Sequence, residues 1–340
     1  MPDEVNVLIV TQTAIPDALV EPVRQVSPRL RVTARGAPSI TERDTAYLDA
    51  EVLCTTGDPP TAAQAPRLRW VQAYSAGVEH FFRVDPLILD RVVLTTSSGV
   101  HTPQMPEYVL MMILAWAHRL PALMANQAAG EWTGERRSLT AIGELRGATL
   151  GVVGYGSIGR ESARLAKAFG MRILASKRDP TRRPDSGWCL PGTGDPAGDL
   201  PERFYSLDEL ALMLPECDYV LLALPHTAAT HHLLDAQALR AMRPTAVLVN
   251  IARGGLVDEP ALIEALRSGA LRAAALDVFE KEPLPASSPL WSMPNVLLSP
   301  HISGFAPGHD ARLMALLADN LRRYLAGQKL FNQVEPAIGY

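Results

Sequence analysis

The sequence contains few cysteines, no long hydrophobic run and no excess of basic residues. Its three cysteines, Cys54, Cys189 and Cys217, are odd in number and lack the spacing of a metal site, which predicts reduced thiols. The longest apolar run, residues 109–117, is well short of the about 18 residues that a membrane span requires. The acidic start leads directly into a predicted strand, so we expect no signal peptide. Together these features predict a cytoplasmic protein with no membrane partner.

The charge balance argues against nucleic acid as a partner. The 340 residues carry a formal net charge of -4, so there is no basic stripe to meet a phosphate backbone. A hydrophobic content of 47% and a charged content of 20% are typical of a globular protein, and a chain of this length usually folds as two domains.

Short apolar segments alternate with helical patterns along the chain, which predicts an α/β fold with parallel sheets. The predicted strands are residues 5–10, 30–33, 51–55, 68–73, 92–96, 150–153, 172–175, 219–224, 246–251, 273–278 and 296–299. The predicted helices include residues 17–26, 107–120, 158–169 and 310–325. Ser206 and Glu209 have the spacing of a capping box, which predicts a further helix start there.

A glycine-rich turn follows the predicted strand 150–153. Gly154, Gly156 and Gly159 have G-x-G-x-x-G spacing, and the residues after them have the periodicity of a helix that ends at Gly170. Such a turn lets the backbone approach a pyrophosphate, which the helix N-terminus then binds. The alternative is an ordinary glycine-rich turn. Because strand, turn and helix occur in the required order, we favour dinucleotide binding.

Three side chains with suitable chemistry follow separate predicted strands. Arg253, Glu282 and His301 should lie outside the carboxyl ends of a parallel sheet, where ligands of such sheets bind. An arginine binds a carboxylate, a histidine transfers a proton near neutral pH, and a glutamate orients and charges the ring. Each residue alone is as well explained by a solvated or packed side chain. Together, after a dinucleotide turn, they predict reversible hydride transfer to a 2-keto acid.

The remaining histidines have no comparable neighbours in the sequence. We interpret them as surface or packing residues, with one of them, His226, as a possible lining of the cofactor site: His80, His101, His118, His226, His231, His232 and His309. The adjacent pair His231 and His232 has no further ligands at metal spacing, so no metal is predicted. Asp277 ends a buried strand, where it either caps a loop or accepts a hydrogen bond from the nicotinamide carboxamide.

Two loops remain open in interpretation. Small residues, Ser75, Ala76, Gly77 and Val78, follow the strand 68–73 and are suited either to binding an anion through backbone N–H groups or to a plain strand–helix turn. Residues 179–204, here called the insertion, are rich in proline, glycine and aspartate. Long connections of this kind are usually functional, and we expect a mobile excursion near the adenosine end of the cofactor.

Four motifs in this order resemble those of the D-isomer-specific 2-hydroxyacid dehydrogenases, over nearly the whole chain. They are residues 154–159 (GYGSIG), 250–259 (NIARGGLVDE), 277–283 (DVFEKEP) and 299–304 (SPHISG). The resemblance implies two Rossmann-like or flavodoxin-like domains with a cleft between them. It implies a discontinuous substrate domain, residues 1–100 plus 305–340, a dinucleotide-binding domain, residues 101–304, and a homodimer formed through the latter.

The resemblance also assigns roles to individual residues. It implies that Arg253, Glu282 and His301 are catalytic, and it favours carboxylate binding by Ser75, Ala76, Gly77 and Val78, with Val100 and Arg253 beside the substrate. The residues it assigns to the cofactor are Met105, Gly154, Tyr155, Gly156, Ser157, Ile158, Gly159, Ser176, Lys177, Arg178, Leu224, Pro225, Ile251, Ala252, Arg253, Asp277, His301 and Gly304.

The chain departs from the family pattern where the adenosine ribose is bound. Members that use NAD usually have an acidic residue just after the second Rossmann strand, whereas Ser176, Lys177 and Arg178 occupy this place. Two cations suit the 2′-phosphate of NADP, so we favour NADP over NAD. The alternative is that both cations are solvated and Asp179 binds the ribose.

The leading hypothesis is an NADPH-preferring reductase of a small 2-keto acid such as glyoxylate or hydroxypyruvate. Glu282 argues against the formate dehydrogenases, which resemble this chain but have a glutamine there, and Ala76 argues against the phosphite-oxidising branch, which has a lysine. Two alternatives remain: a phosphoglycerate dehydrogenase, and a dinucleotide-sensing protein of the corepressor type.

Overall fold

The computed structural model describes residues 4–36, 46–58, 60–78, 81, 91–132 and 143–335. The chain divides into two compact units. The first is Met1–His101, Ser186–Leu190 and Ala306–Tyr340, and the second is Thr102–Asp185 and Pro191–Phe305. Part of the insertion, Ser186–Leu190, therefore belongs to the first unit, whereas the predicted division placed it in the dinucleotide-binding domain. His80 lies outside the described residues.

The first unit contains a five-stranded parallel sheet with the strand order β2-β1-β3-β4-β5. Its strands are β1 (Val5–Thr11), β2 (Leu30–Gly36), β3 (Val52–Thr55), β4 (Trp70–Ala73) and β5 (Val93–Thr95). Its described helices are α1 (Asp17–Arg24), α2 (Ala46–Asp49) and α9 (His309–Leu325). This strand order is that of the flavodoxin-like sheet.

The apolar strands of the first unit are covered on both faces, as a parallel sheet requires. Val7 and Ile9 of β1 lie in one apolar cluster with residues of α1 and α9, while Leu8 and Val10 point into another. Trp188 from the insertion lies in the first of these clusters, and its indole N–H donates to Asp319 at 2.9 Å. The C-terminal segment lies against this sheet, because Gln333 bridges to Thr95 of β5.

The second unit contains a seven-stranded parallel sheet with the order β12-β11-β10-β9-β6-β7-β8. Its strands are β6 (Thr149–Val153), β7 (Arg172–Ser176), β8 (Arg203–Tyr205), β9 (Tyr219–Leu222), β10 (Val247–Asn250), β11 (Ala273–Leu276) and β12 (Val296–Leu298). Its described helices are α3 (Gln104–Ala117), α4 (Leu120–Ala129), α5 (Ser157–Ala168), α6 (Leu210–Met213), α7 (Ala236–Ala241) and α8 (Glu259–Arg267). The predicted capping box is confirmed, since the Glu209 carboxylate accepts from the Ser206 N–H at 2.8 Å.

The order of the second sheet places the glycine turn where the chain direction across the sheet reverses. β6 lies between β7 and β9, which is the topological switch point of a Rossmann sheet. The registers pair Val153 with Ser176 and Leu222, so that the residues after all three strands share one edge. This carboxyl edge continues through β10 and β11, because Asn250 pairs with Leu222 and Leu276.

The helix predicted over residues 107–120 is different in the structure. It spans Gln104–Ala117, because Pro106 is tolerated in a first helical turn, and it ends before Arg119, whose φ of 56° breaks the helix. α4 begins directly afterwards at 64° to it. Within the described chain no single helix is long and apolar enough to cross a membrane, and α3 and α4 reach that length and composition only when taken together.

Candidate active site

The three glycines of the turn 154–159 have different surroundings, so a side chain added at each would have a different effect. Gly154 has φ +99°, and an added Cβ would lie 2.5 Å from the Ala223 carbonyl oxygen. A Cβ on Gly159 would lie 2.3 Å from the Gly154 carbonyl oxygen, which is the close helix–strand contact expected of the third glycine. A Cβ on Gly156 meets nothing within 4 Å, so its backbone faces open space.

These positions fit a dinucleotide pyrophosphate. The space beside Gly156 lies at the start of α5, whose first N–H groups have no partner within the helix and form the positive end of its dipole. An anion placed there meets backbone donors without a side chain in the way. Ser157 and Ile158 provide the first turn of this helix.

The residues after β7 supply cations at the same edge. Ser176 is buried, Lys177 is half-buried, and Arg178 is exposed. The Lys177 ammonium donates to the carbonyl oxygen of Arg182 in the insertion, and burial together with the Arg160 charge lowers the pKa of Lys177. The Asp179 carboxylate accepts from the N–H and hydroxyl of Thr181 at 3.0 and 2.6 Å, which lowers its pKa. Asp179 thus closes a local turn.

Arg253 lies in a turn that a buried asparagine shapes. The amide nitrogen of Asn250 donates to the Arg253 carbonyl oxygen at 2.9 Å, and its amide oxygen accepts from the Ala252 N–H at 3.1 Å. The Arg253 guanidinium donates to the Ala252 carbonyl oxygen at 2.7 Å and is half-buried. The sequence patterns assign no function to Asn250, although an asparagine at a strand end often closes a turn with its side chain.

His301 and Glu282 form a hydrogen-bonded pair. Nδ1 of His301 lies 2.7 Å from a Glu282 carboxylate oxygen, and the other oxygen accepts from the Phe279 N–H at 3.0 Å. The backbone of His301 is left-handed, with φ 54°. Both side chains are partly exposed, at 47% and 36%. Nε2 is therefore the ring nitrogen left to meet a substrate, as a proton donor requires.

Asp277 fixes the loop that carries His301. Its backbone oxygen accepts from the His301 N–H at 2.9 Å, and its buried carboxylate accepts from the Ile302 and Ser303 N–H groups, both at 2.9 Å. The Ser299 hydroxyl also donates to this carboxylate, at 2.6 Å. Asp277 therefore acts as the loop cap that the sequence left open as one alternative.

The predicted neighbours of the cofactor lie around the same edge of the second unit. Met105 is half-buried in the apolar cluster of α3, and Gln104 beside it donates to the Gly304 carbonyl oxygen at 2.8 Å. Leu224, Ile251 and Ala252 are buried after β9 and β10, and the Pro225 carbonyl oxygen accepts from the Thr230 hydroxyl at 2.9 Å.

The predicted carboxylate loop lies in the first unit, after β4. The Ser75 hydroxyl donates to the Gly77 carbonyl oxygen at 2.6 Å, which closes a tight turn, and Val78 anchors it in the core. Ala76 is exposed at the tip of this turn. Val100 is fully buried, and its carbonyl oxygen accepts from the Arg312 guanidinium at 2.7 Å.

Two sets of contacts were not expected from the sequence. The insertion makes hydrogen bonds before, within and after residues 186–190. His232 does have an acidic neighbour: its Nε2 lies 2.7 Å from a Glu280 carboxylate oxygen. The pair cannot be recognised in the sequence because the two residues are 48 positions apart.

Comparison with known proteins identifies the family. Residues 110–303 match the family described as D-isomer specific 2-hydroxyacid dehydrogenase, NAD binding domain. The chain is 37% identical over 278 residues to a glyoxylate/hydroxypyruvate reductase B of Pectobacterium atrosepticum, covering 81% of each chain. It is 32% identical over 334 residues to a reductase of the same name from Escherichia fergusonii, covering 97% of this chain and 98% of the relative.

Solved structures give the same result. A D-isomer specific 2-hydroxyacid dehydrogenase from Xanthobacter autotrophicus, in complex with NADPH and MES, has a TM-score of 0.78 and 28% identity over 99% of this chain and 100% of that one. An NADPH-dependent glyoxylate/hydroxypyruvate reductase from Sinorhizobium meliloti, in complex with NADP and sulfate, has a TM-score of 0.77 and 26% identity, with the same coverage.

Proposed function

Because this chain belongs to the D-isomer specific 2-hydroxyacid dehydrogenase family, we propose that Arg253, Glu282 and His301 are the side chains of its reaction. The protein is an oxidoreductase that reduces a small 2-keto acid with a nicotinamide dinucleotide. The observation that carries the assignment is the hydrogen bond between His301 and Glu282, in a loop that Asp277 fixes beside the glycine turn's sheet edge.

Arg253, Glu282 and His301 have different roles in the reaction. A bound nicotinamide dinucleotide supplies the hydride to the carbonyl carbon. His301 donates the proton from Nε2 to the carbonyl oxygen, and Glu282, on Nδ1, stabilises the charged ring that holds this proton. Arg253 polarises the carbonyl and binds the carboxylate, since its planar fork matches that group. Hydride and proton together convert the 2-keto acid into a D-2-hydroxy acid.

We assign the substrate carboxylate to the turn formed by Ser75, Ala76, Gly77 and Val78, beside Val100. Its exposed tip and small residues leave backbone donors accessible to an anion. The relatives named above are reductases of glyoxylate and hydroxypyruvate, and we propose the same substrates for this chain.

We assign the dinucleotide to the carboxyl edge of the second sheet. The open space at Gly156 supports pyrophosphate binding there, and the buried Leu224, Ile251 and Ala252 provide an apolar surface for the rings. The full set that we assign to the cofactor is Met105, Gly154, Tyr155, Gly156, Ser157, Ile158, Gly159, Ser176, Lys177, Arg178, Leu224, Pro225, Ile251, Ala252, Arg253, Asp277, His301 and Gly304.

We propose that NADP is preferred over NAD. Lys177 and Arg178 place two cations after β7, and Asp179, the alternative ribose ligand, is engaged with Thr181. Relatives with NADPH or NADP bound support this preference. Replacing Lys177 by Asp should lower kcat/KM for NADPH about tenfold or more relative to NADH, because a cation–phosphate contact becomes a repulsion.

The decisive experiment is an initial-rate screen of 2-keto acids with NADPH and NADH side by side. Glyoxylate and hydroxypyruvate should be the best substrates, with NADPH favoured, and the product should be the D-isomer where the acid is chiral. Turnover of 3-phosphohydroxypyruvate in preference to both would favour a phosphoglycerate dehydrogenase. Dinucleotide binding with no turnover of any 2-keto acid would favour a sensor and contradict the proposal.

We also propose that the protein is a homodimer formed through its second unit. None of the residues of α4 is buried, although Leu120, Leu123 and Met124 are apolar and 44–60% exposed, and Trp132 beyond it is 87% exposed. Exposed apolar residues in such number mark an interaction surface. Sedimentation of the wild type should give a dimer, and Leu123→Asp should shift it towards the monomer.

We place the protein in the cytoplasm. Cys54 and Cys217 are free thiols in the core, and no disulfide is formed among the described cysteines, as suits a reducing compartment. Burial raises the pKa of both thiols to about 12, so neither is a reactive thiolate at neutral pH.

A further inference from the structure

The insertion forms a set of contacts with the glycine turn that its sequence does not indicate. Between residues 183 and 200 the backbone of the insertion and its buried Asp195 carboxylate contact three residues of the turn and of the first two turns of α5. These residues are Tyr155, Arg160 and Glu161. All of them belong to the second unit, so the contacts are internal to the proposed dinucleotide-binding part of the chain.

Tyr155 stands between Gly154 and Gly156 and points its side chain away from solvent. Only 3% of it is exposed. Its ring meets Phe204 edge-on at 5.4 Å, and the guanidinium of Arg160 lies over its face at 4.9 Å. Its hydroxyl donates to a carboxylate oxygen of Asp195 at 2.7 Å. Tyr155, the residue between the first two glycines, is therefore held by contacts with Phe204, Arg160 and Asp195.

Asp195 is the centre of the insertion's own fold. Its carboxylate accepts from the N–H groups of Gly198, Asp199 and Leu200 at 3.1 to 3.2 Å, in addition to the Tyr155 hydroxyl. Burial alone raises the pKa of Asp195, but these donors outweigh burial, and the pKa lies below the ordinary value. The carboxylate is therefore ionised at neutral pH and accepts from Tyr155 as an anion, which makes this hydrogen bond a strong one.

Arg160 and Glu161 fix the insertion from the helix side. The buried Arg160 guanidinium donates to the carbonyl oxygens of Asp195 and, at 2.6 Å, of Arg183. The buried Glu161 carboxylate accepts from the Gly194 N–H at 2.6 Å. Because both residues belong to the helix that starts at Gly156, the insertion and the phosphate-binding turn form one hydrogen-bonded assembly.

We propose that Asp195 is a positioning residue for dinucleotide binding, which acts through its hydrogen bond to Tyr155 on the backbone of the turn 154–159. Gly154 and Gly156 have little conformational preference of their own, so the backbone between them needs an external restraint. Tyr155 is the side chain that supplies this restraint, and Asp195 holds Tyr155. The inference rests on the proposed function, because it concerns how tightly the dinucleotide is bound.

The restraint acts on affinity rather than on the chemical step. A turn that spends only a fraction of its time in the binding shape binds with an affinity reduced by that fraction. If loss of the bond leaves that shape about one-tenth populated, Kd rises about tenfold. The pyrophosphate is common to NADPH and NADH, so both should be weakened by the same factor. This equality distinguishes Asp195 from Lys177, whose replacement should affect NADPH alone.

The test uses Tyr155→Phe, Asp195→Asn and the double variant of the full-length protein. Kd for NADPH and NADH is measured by nucleotide fluorescence, and KM and kcat are measured with glyoxylate. Each single variant should raise Kd and KM for both dinucleotides about tenfold, and in Asp195→Asn kcat at saturation should stay within about twofold of the wild-type value. Kd of the double variant should be no higher than that of the single variant with the higher Kd, because both changes break the same bond.

Tyr324→Phe is the matched control. Tyr324 is a tyrosine of the first unit whose hydroxyl donates to the Glu51 carboxylate at 2.6 Å, and its loss should leave Kd at the wild-type value. Wild-type affinity in Tyr155→Phe, multiplied effects in the double variant, or a loss confined to NADPH would overturn the inference. If Asp195→Asn does not fold, Tyr155→Phe alone decides. A wild type that binds neither dinucleotide would instead contradict the proposed function.

Discussion

The described part of the second unit contains two histidine–glutamate pairs with the same hydrogen-bond length, made through Nδ1 of His301 and Nε2 of His232. His301 pairs with Glu282, and His232 pairs with Glu280, each at 2.7 Å. Both histidines have left-handed backbones, with φ 54° and 51°. Their side chains are 47% and 36% exposed. Neither the distance nor the exposure therefore indicates which pair takes part in the reaction.

The surroundings of the two pairs differ. The loop of His301 directly follows β12 at the carboxyl edge, and the carboxylate of Asp277 fixes it. Glu280 instead faces the N–H of Glu259 at 3.3 Å, at the start of α8, and the backbone N–H of His232 donates to Gly255 at 2.8 Å. The second pair therefore ties loops to a helix start. A histidine–glutamate pair is therefore assigned to the reaction by its place on the sheet and by the contacts that hold its loop.

Replacing each histidine by alanine should give the largest difference in kcat between the two pairs. His301→Ala should lower kcat about 10³-fold, because general acid catalysis contributes about 10² to 10⁴. Dinucleotide affinity should remain near that of the wild type. His232→Ala, the matched control, should keep kcat within about twofold, since it removes a partly exposed contact that ties loops to a helix start. Wild-type kcat in His301→Ala would remove the proton-donor assignment.

Neutralising each glutamate should also reduce activity more in the His301 pair than in the His232 pair, but by less than removal of the imidazoles. Glu282→Gln keeps an oxygen near Nδ1 of His301 but removes the charge that favours the protonated ring, so kcat/KM should fall about 10²-fold. Glu280→Gln should leave kcat/KM close to the wild-type value. Equal losses in the two variants, measured with saturating dinucleotide, would contradict the assignment of Glu282 rather than Glu280 to the reaction.

The smallest effect should be that of the second pair on stability. A partly exposed ion pair contributes about 0 to 1 kcal/mol, and an acidic group at a helix start adds a similar amount. Glu280→Ala should therefore lower the free energy of unfolding by about 1 kcal/mol in urea denaturation, without changing kcat. A loss several times larger would mean that the Glu280 loop is central to the fold of the second unit.

Local sequence patterns predicted the parts of the site that depend on neighbouring residues. The spacing of Gly154, Gly156 and Gly159 follows from contacts within a few residues, and the structure has the open and the crowded positions that this spacing requires. The strand ends before Arg253 and His301 were also predictable, because a short apolar run stops where polar and small residues begin. Strand and helix limits shifted by a few residues, as at Gln104.

The tertiary structure alone decided the contacts between distant residues. Tyr155 and Asp195 are 40 positions apart, and His232 and Glu280 are 48 apart. Such pairs depend on the path of loops, which have no periodicity from which a contact can be inferred. The insertion shows this most clearly: its composition predicts a mobile loop, and no pattern in it indicates that its backbone carbonyls accept hydrogen bonds from the buried guanidinium of Arg160. The turn and the strand ends follow from local geometry and are therefore predictable from the sequence, whereas the contacts that hold them in place form only when distant segments meet in the folded chain.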